Sequence, residues 1–331
     1  MADENRYDSG MKYARCGRSG LLLPKISLGL WHNFGDVDTL SNSREMLHYA
    51  FDHGITCFDI ANNYGPSYGS AEETFGRVMQ SSFKPYRDEI VVTTKAGYDM
   101  WRGPYGNWGS RKYLFASIDQ SLKRMNLEYV DIFYSHRFDP LTPMEETLQA
   151  LVDIVKRGKA LYAGISKWPL SQSKFAYEYL KARDVPCLIY QGRYNMIDRN
   201  VETSGILTQA YENGVGFTAF SPLEQGILTD RYLNGIPEGS RASKGRFLKA
   251  ETITPDLISK LKALDAIAHH RGQSLAGMSL SWLLKDNKIS SVIIGSSSVK
   301  QIAESLRCLD NTEFSGDELE AIDAITKTIK V

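Results

Sequence analysis

Three ionisable residues close three consecutive apolar runs: ITCFD ends in Asp59, IVVTTK in Lys95 and VDIFYSH in His136. Neighbouring β-strands lie about 4.8 Å apart. An acid, an amine and an imidazole at the same end of adjacent strands would therefore converge on one patch. Taken singly, the Asp reads as a turn or cap, the Lys as solvated and the His as structural. Their coincidence is what points to a site, because an Asp–Lys pair compensates charges that are costly to bury alone. Tyr64 follows Asp59 by five residues, in the irregular loop ANNYGPSYG. It is one of 18 tyrosines, and packing alone would explain most of them. A neighbouring ammonium favours a phenolate and lowers a tyrosine's ordinary value of about 10. With Lys95 as that neighbour, Tyr64 reads as a proton donor usable near neutral pH.

The other apolar runs also end in polar residues: Ser166 and Lys167, Gln191, Ser221, then Gly295-Ser-Ser-Ser before a helix at Val299. Glycine and serine at a helix start make either an anion site or an ordinary cap. Lys300, in the first turn, is placed to assist a phosphate. The string Gly214-Val-Gly216-Phe-Thr-Ala219 fits GxGxxA but opens a strand after a helix, the reverse of a dinucleotide fingerprint. No phosphate loop or HExxH motif occurs. Cys16, Cys57, Cys187 and Cys308 are far apart without a CxxC pair, so no metal or dithiol site is expected. His269 and His270 read as surface residues of a helix.

Strands are expected at 26–29, 56–60, 90–94, 130–134, 161–165, 188–190, 216–220 and 292–294. Each is short and apolar on both faces, as in a buried parallel sheet. Helices are expected at 43–53, 70–80, 111–125, 143–157, 171–183 and 201–213, alternating with them. Further helices are expected at 255–271, 274–285, 299–309 and 315–327. Eight such repeats lead to an α/β fold, a (β/α)8 TIM barrel, with a doubly wound open sheet as the alternative. Residues 11–23 read as an N-terminal hairpin closing the barrel floor. The long segment between strands seven and eight, with a loop over 223–250, reads as functional. One domain over 1–331 is expected. Its 39 Lys+Arg balance 39 Asp+Glu, which argues against nucleic-acid binding. No run approaches the roughly 18 apolar residues of a membrane helix. The polar start MADENRYDSG and the scattered cysteines point to a cytoplasmic protein.

Asp59, Tyr64, Lys95 and His136 on such a barrel resemble the aldo-keto reductase superfamily. The likeness spans nearly the whole chain, through GLWHNFG, FDIANNYGPSYGSAEE, TKAGYDMW, LEYVDIFYSHR, GISKW and LNGIPEGSR. These motifs look closest to the bacterial L-glyceraldehyde 3-phosphate reductases, and voltage-gated potassium-channel beta subunits are similar but more distant. The resemblance implies reduction of a small aldehyde or ketone by NADPH bound without a Rossmann fold. L-Glyceraldehyde 3-phosphate and methylglyoxal are the implied substrates. Tyr64 corresponds to the proton donor, Lys95 and Asp59 to the pair that tunes it, and His136 to the group that orients the carbonyl. Trp31, Asp59, Ser166 and Gln191 correspond to the nicotinamide end. Ser221, Pro222, Leu223, Gln225, Gly226 and Arg231 correspond to the pyrophosphate side, with Arg241 in the clasping loop. Gly295, Ser297, Gln301, Glu304 and Ser305 correspond to the adenosine end. Ser298 replaces a cation common in relatives, for which Lys300 is the expected substitute, and Ser305 replaces a common Asn. Trp101 and Trp108 are expected at the mouth with Trp31. Arg102, Arg111, Lys112 and Arg137 are candidates for a substrate phosphate. A homo-oligomer, tetramer or octamer, is the expected assembly. Two other functions remain open, an NADPH-binding regulatory subunit and a Schiff-base aldolase using Lys95.

Overall fold

The structure, a computed structural model, describes residues 2–245 and 247–329. Among the described residues there are ten strands: β1 (Tyr13–Arg15), β2 (Leu22–Pro24), β3 (Ile26–Gly29), β4 (Cys57–Asp59), β5 (Val91–Ala96), β6 (Val130–Ser135), β7 (Ala160–Ser166), β8 (Cys187–Arg193), β9 (Gly216–Phe220) and β10 (Ser291–Ile294). The helices are α1 (Leu40–Asp52), α2 (Ser70–Val78), α3 (Arg111–Met125), α4 (Met144–Lys156), α5 (Leu170–Lys181), α6 (Asn200–Thr203), α7 (Ile206–Glu212), α8 (Arg241–Lys244), α9 (Pro255–His270), α10 (Leu275–Leu283), α11 (Val299–Leu306) and α12 (Gly316–Thr326).

Strands β3 to β10 pair in parallel and close on themselves, β10 joining both β3 and β9. The fold is thus a TIM barrel, and the open-sheet alternative is excluded. Every residue of β3, β4, β5, β6 and β10 is buried. Each strand has one face in the barrel interior and one under a helix, which explains runs apolar on both sides. The covering helices bury one stripe each. In α4 that stripe includes Leu148, Leu151, Val152 and Ile154. Side-chain caps begin several helices: Ser110 accepts from the Tyr113 N–H, and Ser315 with Glu318 forms a capping box.

The β1–β2 hairpin lies across the floor. Cys16 and Leu23 join Cys57, Val91, Ile132, Tyr134, Leu188 and Ile189 in a cluster of their own. The hairpin turn is held by Arg18 N–H to the Gly214 carbonyl, 2.8 Å. Gly17, at φ +56°, has no room for a side chain, since a Cβ there would lie 2.1 Å from that carbonyl oxygen.

Three expectations change. The helix expected over 201–213 is two, α6 and α7, because Gly205 sits between them at φ +84°. The helix expected to reach residue 309 stops at Leu306 and tightens into a 3-10 turn over Arg307–Asp310. Strand β8 runs three residues beyond its apolar stretch, since Gln191, Gly192 and Arg193 still pair with β9. All four cysteines are free and buried. Among the described residues, no helix is long and apolar enough to cross a membrane.

Candidate active site

A cleft of about 1780 Å³ opens at the C-terminal ends of the barrel strands. Asp59 is the last residue of β4, Lys95 lies near the end of β5 and His136 directly follows β6. Lys95 Nζ donates to Asp59 Oδ2 at 2.7 Å and to the Ile60 carbonyl at 2.6 Å, and lies 3.4 Å from Tyr64 Oη. The other Asp59 oxygen accepts from Thr93 Oγ1 at 2.8 Å and from Gln191 Nε2 at 2.9 Å. Asp59 is therefore satisfied on both oxygens. The Lys95 ammonium is fully buried, with that carboxylate as its counter-charge. It does not line the cleft but supports it from beneath, behind Tyr64.

The loop after β4 folds back so that Tyr64 faces His136 edge-on, ring centres 5.8 Å apart. Tyr98, three residues past Lys95, packs edge-on against the same imidazole at 4.7 Å. Burial governs the protonation of all three principal groups. It pushes the Lys95 ammonium down, against the pull of Asp59. It drives His136 well below its ordinary value, helped by the charges of Lys95, Lys167 and Arg137, so the imidazole is neutral. Burial also raises the Tyr64 phenol well above 10, reinforced by Asp59 and Tyr98. The neighbouring Lys95 ammonium alone would lower it, the direction expected from the sequence. The direction is reversed because water is excluded, which disfavours the phenolate more than one ammonium favours it.

All the residues expected to hold the cofactor line the same cleft, Asp59 among them. The others are Trp31, Ser166, Gln191, Ser221, Pro222, Leu223, Gln225, Gly226, Arg231, Arg241, Gly295, Ser297, Gln301, Glu304 and Ser305. Residues 221–226 follow β9 with Ser221, Glu224 and Gln225 at positive φ. This shape is held by the buried Glu224 carboxylate, which accepts from Arg193 and from Asn195 Nδ2. Within the segment after β9, Arg241 Nη1 donates to Gln225 Oε1 at 2.5 Å. Phe247 meets the Trp31 ring at 5.2 Å. The 223–250 segment therefore spans the cleft.

Several expected residues do not belong. Trp101 packs on Tyr113, and Trp108 lies under the Arg137 guanidinium. Neither lines the cleft. Arg111 pairs with Asp153, Lys112 lies over Tyr105, and Arg102 is exposed elsewhere. Arg137 is turned away, its Nε donating to the Gly97 carbonyl at 2.7 Å. Lys300 points to solvent near Glu304, and Ser298 is spent as the cap of α11, accepting from the Gln301 N–H. Conversely, Asn63, Tyr98 and Phe247 line the cleft without having been anticipated, although TKAGY already placed Tyr98 just past a strand end.

The aldo/keto reductase family pattern matches residues 25–327. The L-glyceraldehyde 3-phosphate reductase of Escherichia coli (strain K12) is 54% identical over 98% of this chain and 94% of its own. A probable voltage-gated potassium channel subunit beta of Oryza sativa subsp. japonica is 34% identical over 96% of this chain and 97% of its own. A thermostable aldo-keto reductase crystallised with the inhibitor epalrestat superposes with a TM-score of 0.75 at 25% identity, covering 95% of this chain and all of that one. With its closed parallel barrel and a buried Asp59–Lys95 pair beneath Tyr64 at the barrel mouth, this chain belongs to the aldo/keto reductase family of oxidoreductases.

Proposed function

We propose that the chain reduces small aldehydes and ketones to alcohols with NADPH, L-glyceraldehyde 3-phosphate and methylglyoxal being the leading substrates. The observation that carries this reading is the placement of Lys95 Nζ between Asp59 Oδ2 and Tyr64 Oη, 2.7 and 3.4 Å away, beneath the cleft. NADPH, when bound, supplies the hydride. Tyr64 donates its Oη proton to the carbonyl oxygen as negative charge develops there. The raised pKa keeps that proton on the phenol until it is needed. The phenolate left behind faces the Lys95 ammonium, whose charge stabilises it in a medium poor in water. His136, held neutral, offers a ring N–H to the same oxygen without removing the proton being transferred.

The cofactor reading is supported by polar atoms without an internal use. Ser166 Oγ, Asn63 Oδ1, His136 Nδ1 and Ser296 Oγ are buried with no hydrogen-bond partner among the described residues. All four residues line the cleft. Ser166 and Asn63 fit the carboxamide end, and Ser296 with Gly295 fits the adenosine end. A Cβ on Gly295 would meet nothing within 4 Å, so the backbone there is open to a ligand. The 34% identity to a channel beta subunit favours a second reading, an NADPH-binding regulatory subunit. Assaying NADPH consumption with a panel of phosphorylated and plain aldehydes separates the two. Turnover supports the reductase, whereas tight NADPH binding without turnover on any aldehyde supports the regulatory subunit.

A further inference from the structure

We propose that Lys167 and the Tyr98 hydroxyl form an anion subsite that takes a phosphate ester on the substrate, which makes short-chain phosphorylated aldehydes the preferred class. This proposal rests on the reductase reading above. Lys167 directly follows β7, is exposed, and lines the cleft. Its backbone lies in the left-handed region at φ +56°, which a side chain disfavours and a site can exploit. Its ammonium sits over the rings of Tyr98 and Phe220, 5.3 and 5.2 Å from their centres, and donates to Tyr98 Oη at 3.0 Å. Tyr98 packs against His136 and His136 against Tyr64. The four side chains make one row along the cleft, from the proton donor to a positive charge.

Lys167 is the cation at the end of this row, and it carries no counter-charge there. Among the described residues, no carboxylate lies within ion-pair distance of it. Of the other cations lining the cleft, Arg193 is paired with Glu224 and Asp198 and Arg271 with Glu318, whereas Arg231, Arg241 and Lys244 lie on the segment after β9, outside this row. Arg137, the nearest alternative, is committed to the Gly97 carbonyl and to Asn107. Tyr98 Oη accepts from Lys167 and donates to no acceptor among the described residues. An ammonium beside a free phenolic O–H presents donors to two oxygens of one anion, as a phosphate ester requires. The lysine charge also reaches the reacting centre, since it contributes to holding both Lys95 and His136 down.

The test compares wild type, Lys167→Met and Lys167→Arg on L-glyceraldehyde 3-phosphate and on methylglyoxal, which carries no phosphate. The ratio of the two kcat/KM values is expected to favour the phosphorylated substrate in wild type. It should fall ~10- to 100-fold in Lys167→Met and recover in large part in Lys167→Arg. Competitive inhibition by glycerol 3-phosphate should weaken in parallel. An unchanged ratio in Lys167→Met overturns the subsite and leaves the reductase standing. A loss of NADPH affinity equal to the loss of kcat/KM also overturns it, by giving the lysine to the cofactor. Wild type that turns over neither aldehyde overturns the reductase reading and the subsite with it.

Discussion

His136 carries a cost that can be measured as a function of pH. An unfolded histidine takes up its proton near pH ~6.5. The buried, 6% exposed imidazole of the folded chain does so only far below that. In the window between, the unfolded chain binds one more proton than the folded one, so stability falls as pH drops below about 6.5. Above that pH both states are neutral here and the contribution is flat. The slope from this residue is at most about 1.4 kcal/mol per pH unit. Thermal or urea melts of wild type and His136→Gln should diverge below pH ~6.5 and run parallel above it. Parallel curves throughout would show that His136 is not held neutral. The convergence of Asp59, Lys95 and His136 was legible in the sequence, because each ends an apolar run. The Tyr64 phenol's upward shift was not, since it depends on how completely the ANNYGPSYG loop excludes water. Lys167 was not singled out as a substrate cation for a related reason. Sequence shows that Arg102, Arg111, Lys112 and Arg137 are basic, but not that Arg111 and Arg137 are already committed to other partners.

Between elements, the barrel separates its two ends. The hairpin of β1 and β2 seals the floor, and the 221–226 turn with the segment after it shapes the mouth. Gly17→Ala would drive a Cβ into the Gly214 carbonyl, at a residue whose φ of +56° already disfavours a side chain. The expected loss is about 2 kcal/mol or more of stability, read from denaturant midpoints. NADPH affinity should hold, because the site lies at the opposite end of the strands. A large loss of cofactor affinity without a loss of stability would contradict this division. The period of strands and helices was readable, since each strand's double burial leaves an apolar run. The break at Gly205 was not, because a glycine in a helical stretch reads equally as tolerated or as a stop. Nor was the reach of β8 to Arg193, where strand pairing outlasts the apolar pattern.

At the scale of the molecule, one cleft crosses the whole mouth, from Trp31 and Tyr64 to Ser297 and Ser305. A ligand that spans it ties the 223–250 segment to both rims and binds only the folded chain. NADPH at about 100 times its dissociation constant should therefore stabilise the protein by about 2.7 kcal/mol, visible as a raised melting temperature. A melt that does not respond to NADPH would contradict the proposed cofactor. The zero net charge conceals this local organisation, since Asp59 and Lys95 cancel in the sum while building the site. The most direct test of the central claim is Tyr64→Phe, with NADPH binding and aldehyde reduction measured on the same preparation. Loss of the 3.4 Å approach to Lys95 should leave NADPH binding intact and lower kcat by ~100-fold or more. A variant that keeps the wild-type rate would show that Tyr64 is not the proton donor.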